Sequence, residues 1–127
     1  KKLTYWMRTM RTRKKVTFPK YLQHLKRRGI VLGRNDLFNR VTRGPNCIVG
    51  WVGCDLLQIP VVVVLENYFV LQFDVKDGEW PTVYSIMRDA FGFSPDETND
   101  ILDLNDHSNT YNPLDALIAA YPVEGTA

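Results

Sequence analysis

The chemically competent side chains of this sequence are concentrated at its start. Arg8, Arg11, Arg13, Lys14, Lys15 and Lys20 are interleaved with Tyr5, Trp6, Phe18 and Tyr21, and a second cluster, Lys26, Arg27, Arg28 and Arg34, follows. Guanidinium and ammonium groups bind phosphate oxygens while aromatic rings stack on unpaired bases, so the combination suits RNA or single strands. The plainer alternative is that the aromatics belong to the core and the charges are simply solvated. That alternative fits Tyr21; it fits the density of Arg11 to Lys15 poorly.

The net charge of +2 over 127 residues conceals this asymmetry. Residues 1–46 carry fourteen Lys or Arg against one acid, Asp36, whereas residues 47–127 carry Lys76 and Arg88 against thirteen acids. The first third is therefore +13 and the remainder −11. Such a division points to a polyanion-binding segment or to an acidic interaction surface. Asp96, Glu97, Asp100, Asp103 and Asp106 are the candidate acidic surface, suited to a basic site on a host protein. The competing expectation is that the two parts fold against each other and neutralise.

Cys47 is the candidate nucleophile. It follows Asn46, which reads as an N-cap, so the thiol would stand in a first helical turn, where free N–H groups and the macrodipole favour thiolate. A hydrolase built on it would need His24 or His107, the only histidines, as base, with Asp106 or Asn105 orienting the imidazole. The preferred expectation is a buried packing residue, as for most free cysteines. Cys54 reads as core filling. Two cysteines are too few for a disulfide scaffold or a structural zinc site, so both are expected reduced and no metal or cofactor is expected.

The stretch DLNDHSN superficially resembles a calcium loop, but Ser108 stands where the loop needs glycine and Leu114 where it needs a bidentate acid. A polar connection with Asn105 and Asp106 bonded to local backbone is expected instead. Phosphate-binding glycine loops, dinucleotide fingerprints, zinc-protease motifs and serine-nucleophile elbows are absent, which lowers the prior on those chemistries.

The elements that must position these residues read as one α+β domain, mostly helical, over residues 1–127. A strand is expected over 3–10 and a basic arm over about 1–18. A helix over 19–28 buries Tyr21, Leu22 and Leu25, with Gly29 as its stop. GRNDLFNRVTRGPN reads as a mobile loop with one short turn around 37–41. From the Asn46 cap, Ile48, Val52, Leu56 and Ile59 form a helical stripe closed by Pro60, with Gly50 and Gly53 as a smooth packing side. The β-rich character of Ile, Val and Trp makes a strand the rival reading there. VVVVL and YFVLQFDV form a hairpin over about 61–75. Val83, Ile86, Met87, Ala90 and Phe91 define a helix stopped by Gly92. Ser94-Pro95-Asp96-Glu97 is a capping box opening a helix to about Leu104, and Asn112-Pro113 opens a last one with Leu114, Leu117, Ile118 and Tyr121 inward.

No apolar run is long enough for a membrane span, and the opening residues lack a signal-peptide core, so a cytoplasmic protein is expected, in the host cytoplasm if viral. The succession YLQHLKRRG, GPNCIVG, LND and NPLDALIAAY resembles small phage and actinobacterial proteins of unknown function that carry C-x-x-G and a later W-N-D before a terminal helix. Leu104 replaces the Trp, and the opening KKLTYW is similar to the start of many small phage proteins. The resemblance implies a helical accessory domain of viral or mobile-element origin, with Cys47, Gly50, Asn105 and Asp106 as structural positions. The expected function is non-enzymatic binding of nucleic acid or a nucleoprotein through the basic third. The alternatives are an inhibitor acting through the acidic surface and a hydrolase using Cys47.

Overall fold

The computed structural model describes residues 16–39, 41–42, 44–58, 61–65, 68–71 and 82–124. Among the described residues the chain is mostly helical, with five helices and an antiparallel hairpin near its middle, the α+β arrangement that the patterning predicts. The expected strand at 3–10, Arg8 to Lys15, Ile59, Pro60 and the far end of the hairpin past residue 71 lie outside the described residues.

Helix α1 (Phe18–Arg27) starts where Thr17 takes an extended backbone and its hydroxyl accepts from Lys20 N. Pro19, in the first turn, needs no N–H partner there. Gly29, at φ +73°, ends the helix in a left-handed conformation that a side chain would strain. Tyr21, Leu22 and Leu25 are buried as predicted. So is Phe18, which the sequence places at the end of an arm. Its ring makes edge-on contacts with Phe91, Phe93 and Tyr121 at centroid distances of 5.1, 5.3 and 5.3 Å. Residue 18 thus belongs to the core, and any arm ends before it.

Residues 30–35, after α1, are tied by hydrogen bonds to residues 106–112. Asn112 accepts from Leu32 N and donates to Ile30 O, while Arg34 donates to the carbonyls of Ser108 and Thr110. Asn35, at φ +72°, donates its N–H to Asp106 Oδ1. The short turn expected around 37–41 is half of a small hairpin, β1 (Phe38–Asn39) pairing antiparallel with β2 (Gly44–Pro45).

Helix α2 (Ile48–Trp51) begins one residue later than predicted. Asn46 is not its cap, because its amide points backward and donates to Asp36 O at 2.9 Å. Cys47 holds the N-cap position without a side-chain bond, and the buried first-turn Ile48 N–H is satisfied instead by Asn105 Oδ1, at 3.0 Å, from a helix far along the chain. A cap from distant sequence is invisible to local pattern. Gly50 is fixed by close packing, since a Cβ there would collide with the Leu37 carbonyl oxygen.

After Trp51 the helix widens into a π turn over Val52–Leu56, with Leu57 N donating to Val52 O. The extra residue shifts the buried stripe: Ile48 and Val52 are in the core, but the next core residue is Leu57 rather than the predicted Leu56. Gln58, at φ +55°, ends the segment before Pro60. Strands β3 (Val61–Leu65) and β4 (Tyr68–Leu71) pair antiparallel, with an irregularity between Val63 and Leu65.

Helix α3 (Val83–Phe91) stops at Gly92 as predicted, and helices α4 (Pro95–His107) and α5 (Pro113–Ala120) open at the predicted caps. Thr82 and Ser85 form a capping box on α3, Ser94 and Glu97 form one on α4, and Asn112 accepts from Leu114 N. Helix α4 runs three residues past Leu104 because Asn105 does not turn on its own backbone. Its amide, fully buried, reaches out to Ile48 N, Gly33 O and Asp106 Oδ1. The expected local bonding of Asn105 and Asp106 is thereby replaced by contacts with segments 57 to 72 residues earlier.

Asn105→Ala leaves the Ile48 N–H and the Gly33 carbonyl without a protein partner. It is expected to lower stability by about 2–4 kcal/mol, read as the midpoint shift of urea unfolding. Asp103→Ala, on the exposed side of the same helix, is expected to leave that midpoint nearly unchanged.

Candidate functional site

With Phe18, Tyr21, Leu22 and Leu25 turned inward, α1 presents Lys20, Gln23, His24 and Arg27 on its opposite side. Their spacing of i, i+3, i+4 and i+7 defines one helical face, and Lys20, His24 and Arg27 are exposed. This face forms one wall of a groove of about 610 Å³, whose other walls are Asp55 and Leu56 of the π turn and Val123 beyond α5. Val16 lines the same groove, so residues 1–15, with seven Lys or Arg and no acid, join the described chain at this place.

Among the described residues, the remaining cations of the basic third, Lys26, Arg28 and Arg34, have other partners. Lys26 Nζ lies 2.6 Å from Asp115 Oδ1, an exposed pair that adds little stability. Arg28 Nη1 lies 3.1 Å from Asp55 Oδ2, and its guanidinium sits 5.4 Å from the centre of the Trp51 ring. Arg34 clamps the carbonyls that follow α4, where a cation also meets the negative end of the helix. The expected cluster Lys26, Arg27, Arg28 and Arg34 is therefore divided, with Arg27 alone joining Lys20 on the groove.

Sequence reasoning missed Tyr21 and Asp55 as groove residues. The Tyr21 hydroxyl donates to Asp55 Oδ2 at 3.0 Å, with the Trp51 carbonyl 3.2 Å away as a second acceptor. Burial, reinforced by the Asp55 charge, pushes the Tyr21 phenol well above its ordinary range. Asp55 reaches this position only through the π turn, which periodicity does not foresee. The spacing of Lys20, His24 and Arg27 was legible and could have been found on a helical wheel.

Cys47 is 3% exposed at the start of α2. Burial pushes its thiol up and the Asp106 charge adds to this, against weaker opposing contributions from backbone groups of α2. The helix-start environment that would favour thiolate is outweighed by desolvation. His24 and His107 are both exposed, and no hydrogen bond joins either to Cys47 among the described residues. Cys47 is thus buried while both histidines face solvent. Among the described residues, no three His, Cys, Asp or Glu side chains converge as metal ligands.

On α4, Asp96, Asp100 and Asp103 form an exposed stripe with no ion pair among the described residues. The other two acids of the expected surface are engaged within the fold. Glu97 Oε1 accepts from Ser94 N, and Asp106 Oδ1 accepts from Asn35 N and Asn105 Nδ2.

Both thiols are expected to alkylate more slowly in the native protein than a free cysteine peptide at neutral pH, because a raised pKa leaves less thiolate. The same shifts set a sign for stability. An unfolded thiol ionises near its ordinary value of 9.0, while folded Cys54 is pushed up to about 12 by burial and by Asp55. Between those values the unfolded state holds fewer protons, so stability falls as pH rises through that window, measurable by urea unfolding at stepped pH. Cys47 reacting faster than the peptide would overturn the packing role. No protein-family model, curated protein or solved structure matches this chain.

Proposed function

We propose that this is a non-enzymatic binding protein that engages nucleic acid or a nucleoprotein through its basic amino-terminal third, an accessory protein of the viral or mobile-element kind that the resemblance implies. The observation that carries the reading is the division of the cations. Lys26, Arg28 and Arg34 are taken up by partners within the fold, whereas Lys20 and Arg27 share an exposed face with His24, beside the point where seven further Lys or Arg enter. Neutralisation between the two parts of the chain thus accounts for Lys26, Arg28 and Arg34 and leaves Lys20 and Arg27 available to phosphates. No helix among the described residues is long and apolar enough to cross a membrane, and the host-cell cytoplasm is the proposed location.

Binding should weaken steeply with salt, the logarithm of the association constant falling by about 0.9 per duplex phosphate contacted and about 0.7 per single-strand phosphate. Lys20→Glu with Arg27→Glu is expected to weaken binding and to flatten that slope by about two contacts, while Lys26→Gln leaves it nearly unchanged. Removing residues 1–15 should abolish binding and preserve the circular dichroism of the helices. Affinity independent of salt, or no binding at low salt, defeats the proposal.

A second reading rests on the exposed Asp96, Asp100 and Asp103 stripe: an inhibitor that meets a basic site on a host protein. Reversing Asp96, Asp100 and Asp103 to Lys should slow association with such a partner severalfold at low ionic strength, because peripheral charges steer encounter more than they hold the complex. An unchanged association rate counts against this role.

A further inference from the structure

We infer that the groove beside α1 seats an unpaired nucleic-acid strand, in preference to a duplex. The inference rests on the proposed nucleic-acid binding and specifies its ligand. Lys20, His24 and Arg27 run along one wall over seven residues of helix, a rise of about 10 Å, longer than a single phosphate group. The same groove is lined by Leu56 of the π turn and by Val123, which are apolar. Asp55, the acid among the lining residues, has its charge offset by Arg28 Nη1 at 3.1 Å and its Oδ2 covered by the Tyr21 hydroxyl. It therefore detracts little from the attraction of the cationic wall.

A duplex meets such a site with one strand of phosphates only. Its base faces are stacked internally, so the apolar residues of the groove gain nothing from it. An unpaired strand engages both kinds of residue, with phosphates on Lys20 and Arg27 and a base laid against Leu56 and Val123, and the groove volume of 610 Å³ lies within the range that holds a small ligand. The apolar side chains make no base-edge hydrogen bonds, so the seat is tolerant of sequence.

The test uses the full chain and fluorescence anisotropy at low salt. The probes are a thymidine oligodeoxynucleotide about 15 nucleotides long, the uridine oligoribonucleotide of equal length, and a blunt duplex of equal length. At least one unpaired probe is expected to bind about 10-fold more tightly than the duplex, and the ratio between the two unpaired probes shows whether the 2′-hydroxyl matters. Leu56→Asp removes apolar surface and is expected to weaken unpaired binding about 10-fold and duplex binding by less, the duplex losing only charge attraction. Val123→Asp, beyond the last helix, repeats the test should Leu56→Asp disturb the fold, which circular dichroism checks. Equal affinity for duplex and unpaired probes, or Val123→Asp and Leu56→Asp both without effect in folded protein, overturns the single-strand seat while nucleic-acid binding stands. Failure of every probe to bind at low salt overturns both.

Discussion

The amide of Asn105 joins three parts of the chain at one buried point. Its oxygen caps α2 through the Ile48 N–H, its nitrogen holds the Gly33 carbonyl in the segment after α1, and its own backbone lies in α4. A fully buried amide in an apolar surrounding is costly unless its donors and acceptors are paired, so this geometry tolerates little displacement of any of the three segments. Asp106 beside it and Asn112 in the following loop extend the same device. Both bind backbone of residues 30–35, a segment with no regular secondary structure of its own.

That junction has a consequence at the far side of α2. With the start of α2 fixed by Asn105 and Gly50 pressed on the Leu37 carbonyl, the helix cannot slide to bring both Ile48 and Leu56 to the core. The π turn admits one extra residue, Leu57 takes the core position, and Asp55 and Leu56 are delivered to the groove. The widened turn gives up regular helical hydrogen bonding, and such interruptions recur where a chain presents side chains for binding. Here it presents an acid that gathers Tyr21 and Arg28 and an apolar residue that lines the groove with the cations of α1.

Charge follows a similar logic. The sequence divides cations from acids along its length, and folding pairs a part of them: Lys26 with Asp115, Arg28 with Asp55, Arg34 with carbonyls at the end of α4. Each of these draws α1 or its following segment toward α2, α4 or α5. The residues left on the outer face of α1 are those whose helical phase points away from the core, which is why Lys20 and Arg27 remain on the groove although their neighbours Lys26 and Arg28 do not.

Local sequence determined the helices and their ends. Thr82 with Ser85, Ser94 with Glu97, Asn112 before Pro113, and the glycines at 29 and 92 are signals read within four residues, because capping is a contact between near neighbours. Apolar periodicity likewise marked Leu22, Leu25, Ile86, Met87, Leu114 and Leu117 as core. What depended on distant residues was not legible. Asn46 has the composition of a cap, yet the cap comes from Asn105; Leu56 has the phase of a core residue, yet Leu57 is buried; Arg28 and Arg34 have the charge of phosphate ligands, yet Asp55 and two carbonyls bind them. The cap preference of Asn46 is worth about 1 kcal/mol, and in each case the local preference yields to a hydrogen bond, ion pair or packing contact between segments that only the tertiary structure brings together.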